Sequence, residues 1–397
     1  MINIVFILFI IFQILIGINL ILPIILYLIN LINPAKAIPY KVLQEIDYAI
    51  IVTAYEQIDL LPSVVNSILK LDYQNYLIYI VADNCDISSL NFKSDKVVLL
   101  RPDETLASNT KSHFYAINHF KRAHDYLTII DSDNLVDPNY LNELNQFFNE
   151  GYIAVQGVRQ AKNLNTSYAC LDEAGDMYYR FVDRKLLFEI GSSASLAGSG
   201  MAFTTVFYKE CLEFLSIEGA GFDKVLQMEI LNRGKRIAFA QRAILYDEKT
   251  SKPSQLVNQR ARWINTWFKY AGRGLSLVGR GIMNLDLNQF LCGLVFSRPP
   301  LFIVFGLTFL CIILDIVLVP IMLIYWLTVI FSFITIFFVA LHHYKAPKVI
   351  YAALKSIPAF IFLQVISLFR AKKANKVSTA TTHYYDDNID NVDKVDV

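Results

Sequence analysis

The sequence predicts an α/β protein: a mostly parallel sheet covered by helices on both faces, with membrane-spanning segments on either side of it. Three observations predict this. Between residues 47 and 290, continuous β-branched runs alternate with stretches whose apolar residues recur at helical spacing, the pattern of strands buried on both faces and joined by helices. Of the 397 residues, 55% are hydrophobic and 18% charged, too apolar for an ordinary soluble protein, yet the middle is too charged for a simple membrane bundle. The uncharged runs lie outside that middle: residues 1 to 32 carry no charged side chain, and residues 301 to 341 carry only Asp315.

Residues 1–33 read as an N-terminal transmembrane anchor. One crossing takes about 20 apolar residues, so the stretch makes one long, tilted helix and is too short for two. It has no basic leader, and its apolar run exceeds that of a signal peptide, which makes it an uncleaved anchor. YAIIVTAY (48–55) is a first strand and EQIDLLPSVVNSILKL (56–71) a helix. YLIYIVAD (76–83), KVVLLR (96–101) and YLTIID (126–131) are further strands, with a helix over 107–124 between the last two. After the sheet domain (45–270), residues 271–299 read as an interfacial amphipathic segment, with Lys269, Arg273 and Arg280 suited to headgroups.

Residues 300–341, with Pro320 near the middle, suit two crossings joined by a tight turn. Residues 349–370 are interrupted by Lys355 and Pro358 and either cross or lie in the interface. Residues 371–397 form a polar, acidic tail, expected to be poorly ordered. Lys36 and Lys41 follow the first helix, Lys345 and Lys348 the pair, and Arg370, Lys372, Lys373 and Lys376 the third segment. The positive-inside rule therefore puts the sheet domain in the cytoplasm of a multi-pass protein of the cell (inner or plasma) membrane, and favours the interface for 349–370. A net charge of +1 argues against a nucleic-acid partner. Five scattered cysteines argue against disulfides and a zinc site and fit a reducing compartment.

Three strands end in acids: Ala54-Tyr55-Glu56, Asp83-Asn84-Cys85-Asp86 and Asp131-Ser132-Asp133. In parallel sheets ligands bind beyond the carboxyl ends of the strands. Carboxylates gathered there would repel a phosphate-bearing ligand unless a cation intervened. Mg²⁺ or Mn²⁺ fits, held by one or two carboxylates and by phosphate oxygens of the ligand. Alternation along an extended segment puts Asp131 and Asp133 on one side. A lone Asp-x-Asp elsewhere is more often a polar strand end.

Taken in order, VTAYE (52–56), VADNCD (81–86), IIDSD (129–133), GSGMAF (198–203), FDKVLQMEILNRGKR (222–236) and QRARW (259–263) resemble the motif series of the membrane-bound family 2 glycosyltransferases. That group includes the cellulose, chitin and hyaluronan synthases. The resemblance implies a GT-A fold, a nucleotide-diphospho-sugar transferase domain with a Rossmann-like, mostly parallel sheet. It also implies transfer of a sugar from a nucleotide-diphosphate donor, usually UDP-linked, to a lipid-linked or glycan acceptor, with membrane lipid around the enzyme.

The resemblance further assigns roles. Glu56 and Asp83, with Ala54 and Tyr55, would hold the nucleoside, although a strand-end tyrosine is often core. Lys111 would face the nucleotide or lie on a solvated helix face. Asp131 and Ser132 would lie by the ribose and diphosphate, and Asp133, with Asp131, would bind Mn²⁺ or Mg²⁺. The relatives' Glu-Asp base motif reads Phe222-Asp223 here, so Asp223 is the expected general base and Glu229 the fallback; an acid there also suits a helix start. Arg260 and Arg262 would grip the diphosphate. Gln259 and Trp263 would meet the acceptor sugar, with Gln156, Gly198, Ser199 and Gly200 on the acceptor side.

Two rivals remain at this stage. A catalytically silent membrane scaffold, or a subunit of a polysaccharide synthesis and export complex, would explain the altered base motif. A nucleotidyl- or phosphosugar transferase would use phosphate-cradling glycine loops or basic clusters, and the sequence shows no such loop. Few helices follow the catalytic region for a polymer channel, which favours single additions or export by a partner.

Overall fold

The computed structural model describes residues 2–36, 38–41, 45–217, 219–374 and 389–391. Among these residues eight strands form one sheet: β1 (Tyr48–Tyr55), β2 (Tyr76–Asp83), β3 (Val97–Leu100), β4 (Tyr126–Asp131), β5 (Leu135–Val136), β6 (Ala154–Ala161), β7 (Met201–Thr204) and β8 (Ala238–Asp247), in the order β3-β2-β1-β4-β7-β6-β8-β5. The first four strands by position are mutually parallel, as the β-branched runs predict. The reversed strand β7 sits between β4 and β6, so the sheet is mixed beyond β4. Along β1, Tyr48, Ile50, Val52 and Ala54 enter one core layer while Ala49 and Ile51 enter the other. Burying each large apolar side chain there contributes about 1.5–3 kcal/mol.

Helices α1 (Ile2–Ile32), α2 (Leu61–Leu69), α3 (Asn109–Asn118), α4 (Tyr140–Asn149) and α5 (Ser167–Tyr179) come first. A π-helical segment (Arg180–Leu186) prolongs α5 into the short α6 (Leu187–Glu189). Then follow α7 (Thr205–Leu212), α8 (Phe222–Asn232), α9 (Pro253–Met283), α10 (Leu287–Ser297), α11 (Leu301–Leu318), α12 (Met322–His343), α13 (Lys348–Ala353) and α14 (Ile357–Ala371). Helices α2 and α4 cover the first core layer; α3, α7 and α8 cover the second. The chain starts α5 with the Thr166 hydroxyl accepting from Ala169 N–H and α10 with Asp286 accepting from Gln289 N–H, both standard N-caps.

Among the described residues four helices are long and apolar enough to cross a membrane: α1, α11, α12 and the stretch Lys348–Ala371. The last therefore has the length of a crossing as well as the interfacial option. Pro358 falls in the first turn of α14, where the missing N–H costs no helical bond, and a 3₁₀ turn at Leu354–Ser356, bearing Lys355, separates α13 from α14. The first three pack together around one polar knot. Gln13 Nε2 donates to Asp315 Oδ1 at 2.9 Å, and Trp326 Nε1 donates to Asp315 Oδ2 at 2.9 Å, with all three side chains buried. Gly17 allows the close approach, because a Cβ there would lie 1.9 Å from the Tyr325 hydroxyl. Lys376 and most of the polar tail lie outside the described residues; of the rest, Asp390 pairs with Lys70 at 2.5 Å and Ile389 is buried.

Candidate active site at the carboxyl edge of the sheet

Strand register brings the acidic ends together. Tyr55 lies beside Asp83, and Thr53 beside Asp131. Asp83 is buried, and its carboxylate accepts from Leu106 N–H at 2.9 Å and Ala107 N–H at 2.8 Å. It thus ties the loop before α3 to the edge of the sheet. Glu56 is exposed, adopts a left-handed φ of 61° and accepts from Asn84 at 3.2 Å. Desolvation, then the hydrogen bond and charge of Glu56 and the charge of Asp83, push the Tyr55 phenol pKa upward. Ala54 is buried in the strand, and Lys111 is exposed in the first turn of α3.

Asp131 and Ser132 are half-buried and Asp133 is buried. The adjoining Gly198-Ser199-Gly200 loop is bonded to them. Asp131 N–H donates to Ser199 Oγ at 3.0 Å, and that hydroxyl donates to Asn134 Oδ1 at 2.6 Å. Gly200 needs its residue type twice over: φ is +68°, and a Cβ would lie 2.9 Å from Leu245 Cδ1. Gln156 is fully buried; its Oε1 accepts from Ala197 N–H at 2.9 Å and its Nε2 donates to Ser199 O at 3.1 Å. The structure therefore gives Gln156 to the loop's backbone.

The same loop meets α8. Leu196 N–H donates to Gln227 Oε1 at 3.1 Å, and Lys224 Nζ donates to Leu196 O at 3.3 Å. Asp223, in the first turn of α8, is half-buried with Lys224 Nζ 3.6 Å away. Phe222 beside it is buried against His113, ring centroids 5.2 Å apart. Glu229 is engaged elsewhere, 2.5 Å from Arg233 Nη1.

QRARW lies inside α9. Arg260 pairs with Asp172 and lies 4.2 Å over the Trp263 ring, so its fork already has a protein partner. Trp263 keeps half its surface exposed. Arg262 is half-buried, and burial lowers its guanidinium pKa. Gln259 is half-buried.

The model of the glycosyltransferase-like family 2 matches residues 46–266. The chain belongs to that family. Among solved structures, the mannosyltransferase PcManGT from Pyrobaculum calidifontis, in complex with GDP-Man and Mn²⁺, aligns at 12% identity over 90% of this chain and 97% of its own, with a TM-score of 0.55. TarS (residues 1–349) of S. aureus, in complex with UDP-GlcNAc, aligns at 13% identity over 83% of this chain and 90% of its own, with a TM-score of 0.43. No functionally curated protein matches the chain. The family and the first of these likenesses agree on a GT-A fold for the glycosyltransferase.

Asp131 and Asp133 are the carboxylates that could hold a divalent cation at this edge, but the chain turns at Ser132-Asp133 after β4 ends, so strand alternation does not set their relative direction. Among the described residues no three His, Cys, Asp or Glu side chains cluster into a metal site. Such a cation would need few protein ligands if it were Mg²⁺ or Mn²⁺, which complete their shells with water and phosphate oxygens.

Sequence reasoning missed a buried ion-pair network behind this edge. Lys249 Nζ lies 2.7 Å from Asp176, 3.0 Å from Glu173 and 3.0 Å from Asp247, while Arg180 reaches Glu173 at 3.0 Å and Arg159 pairs with Asp247. Burial alone would lower the Lys249 pKa; Asp176, Asp247 and Glu173 outweigh it and raise the value well above the ordinary one. A signal was present: Asp172, Asp176, Arg180 and Arg184 recur every four residues in an otherwise largely apolar stretch.

Proposed function

We propose that this glycosyltransferase is a membrane-bound, inverting enzyme of the synthase-like group that moves a sugar from a nucleotide-diphosphate donor, UDP-linked donors being the first choice, to a lipid-linked or polysaccharide acceptor. The observation that supports it most is the 196–200 loop, which is bonded to the backbone of Asp131 on one side and to α8, bearing Asp223, on the other. One rigid connection thus spans the acid that would face the donor and the acid that would serve as base.

In this mechanism the acceptor hydroxyl loses its proton to Asp223 as its oxygen attacks the anomeric carbon. The bond from that carbon to the diphosphate oxygen breaks, and the nucleoside diphosphate leaves with the electron pair. A divalent cation bound by Asp133 and Asp131 would supply positive charge against the departing diphosphate. Tyr55, Glu56, Asp83 and Lys111 frame the nucleoside side. Arg262 adds positive charge near the diphosphate, and Trp263 and Gln259 offer a stacking face and an amide to the acceptor sugar. The four apolar helices would make the protein multi-pass in the inner or plasma membrane, with the sheet domain cytoplasmic and a partner handling export.

The test is nucleoside diphosphate release from a panel of UDP- and GDP-sugars by the detergent-solubilised protein, with Mn²⁺, Mg²⁺ or EDTA. One donor should turn over only with metal. Asp223→Asn should lower kcat by about 10²–10⁴ while leaving donor binding intact, and Asp133→Asn should lose metal dependence and turnover together. Donor binding without turnover at any acceptor would favour the silent scaffold.

A further inference from the structure

Ala197 is bonded through both ends of its peptide by side chains of β6. Its N–H donates to Gln156, and its carbonyl accepts from Arg159 Nη1 at 2.7 Å. The loop runs beside β6 just beyond the Gln156–Met201 register pair, so both side chains reach it. The remaining edge of the Arg159 guanidinium is fixed as well: Nε donates to Asp247 Oδ2 at 3.1 Å, and Nη2 to the same oxygen. Only a planar fork does both at once; a lysine ammonium could keep the charge beside Asp247 but could not span to Ala197.

Arg159 is bonded to the loop that links Asp131 to the helix bearing Asp223, the two acids assigned to chemistry. Burial opposes its charge, yet Asp247, Asp176 and Asp131 together raise its pKa, which places Asp131 within its electrostatic reach. From Ala197 the connection passes through Leu196 to Lys224 and Gln227 of α8, and through Ser199 to the backbone of Asp131. The Arg159 carbonyl accepts from Arg180, so the residue is also anchored in the buried ion network.

We propose that Arg159 is a positioning residue: held by Asp247, it clamps Ala197 and so sets Asp223 relative to Asp131 and the bound donor. The proposal rests on the transferase reading above. Its side chain is 23% exposed and each of its three nitrogens bonds protein, so it acts through the loop.

The test uses the full-length, solubilised enzyme and Arg159→Lys, which retains the Asp247 charge partner, with Arg159→Met as the harsher variant. Arg159→Lys should melt near the wild type and bind donor within about twofold. Its kcat should fall about ten- to a hundredfold, the scale of a small misplacement of a reacting group, and amide exchange over 196–200 should quicken. Unchanged kcat with faster exchange would overturn the proposal, as would unchanged exchange. A parallel loss of melting temperature, donor affinity and kcat would mark Arg159 as merely structural. A wild-type protein that releases no diphosphate from any donor overturns the transferase reading and this proposal with it. An active wild type with a fully active Arg159→Lys overturns this proposal alone.

Discussion

The Arg260 guanidinium lies 4.2 Å over the ring of Trp263, one helical turn along α9, and Asp172 holds it there. The stack fixes an indole whose other surface is open. A cation–π contact at such a site is worth about 0.5–1 kcal/mol. Arg260→Lys should therefore raise the acceptor KM about two- to fivefold, and Trp263→Ala more, with donor affinity nearly unchanged. A donor affinity that falls as much as the acceptor term would return Arg260 to the diphosphate.

His113 is buried, its Nδ1 lies 2.7 Å from the Tyr208 hydroxyl, and burial pushes its pKa down to about 3. It is neutral when folded and titrates near 6.5 when unfolded. Its contribution is thus complete above about pH 6.5 and is lost as pH falls towards 3, by up to about 1.4 kcal/mol per unit. His124, also lowered by burial despite Asp47, acts in the same direction. The melting temperature should fall between pH 7 and 5, and His113→Phe should flatten that slope even if it melts lower overall. An unaltered slope would contradict the assignment.

Gly200 and Gly198 both have left-handed φ, 68° and 86°, but only Gly200 lacks room for a Cβ. Gly198→Ala should cost about 1–2 kcal/mol of backbone strain. Gly200→Ala should cost more, because Leu245 must also move, and should lower kcat by disturbing the loop under Asp131. Thermal melts and kcat of the two variants compared directly settle this.

Asp315→Leu strands the Gln13 Nε2 donor in the helix bundle, at about 1–3 kcal/mol, while Trp326 Nε1 keeps the Gln13 Oε1 at 3.1 Å. Adding Gln13→Leu removes the stranded amide but takes the last acceptor from Trp326 Nε1, so the double variant should recover little of that loss. Melting of the solubilised single and double variants reads the difference.

The strands that sequence revealed are those whose burial is continuous: β1, β2 and β4 match the β-branched runs at 48–55, 76–83 and 126–131. Their acidic ends were legible for the same reason, since a strand end fixes where its next side chain goes. The later strands were not legible: β7 is four residues long, and β8 is broken by Gln241-Arg242. The helix expected over 107–124 spans Asn109–Asn118. Ala107 has a left-handed φ of 46°, which a right-handed helix does not contain, and at the other end Lys121 N–H goes to the Tyr79 hydroxyl at 2.9 Å. Arg159 escaped because its partners, Ala197 and Asp247, are 38 and 88 positions away.

The knot between Gln13 and Asp315 joins residues 302 positions apart. A ribosome adding about 5–20 residues per second delivers the second partner roughly 15–60 s after the first. Throughout that interval the first helix holds an amide with no partner from α11 or α12, while the whole sheet domain emerges and can fold. The last helices therefore close an assembly that the first one opened. Nascent chains arrested before residue 315 should hold α1 loosely, open to exchange with other membrane helices, and release of the full chain should lock it.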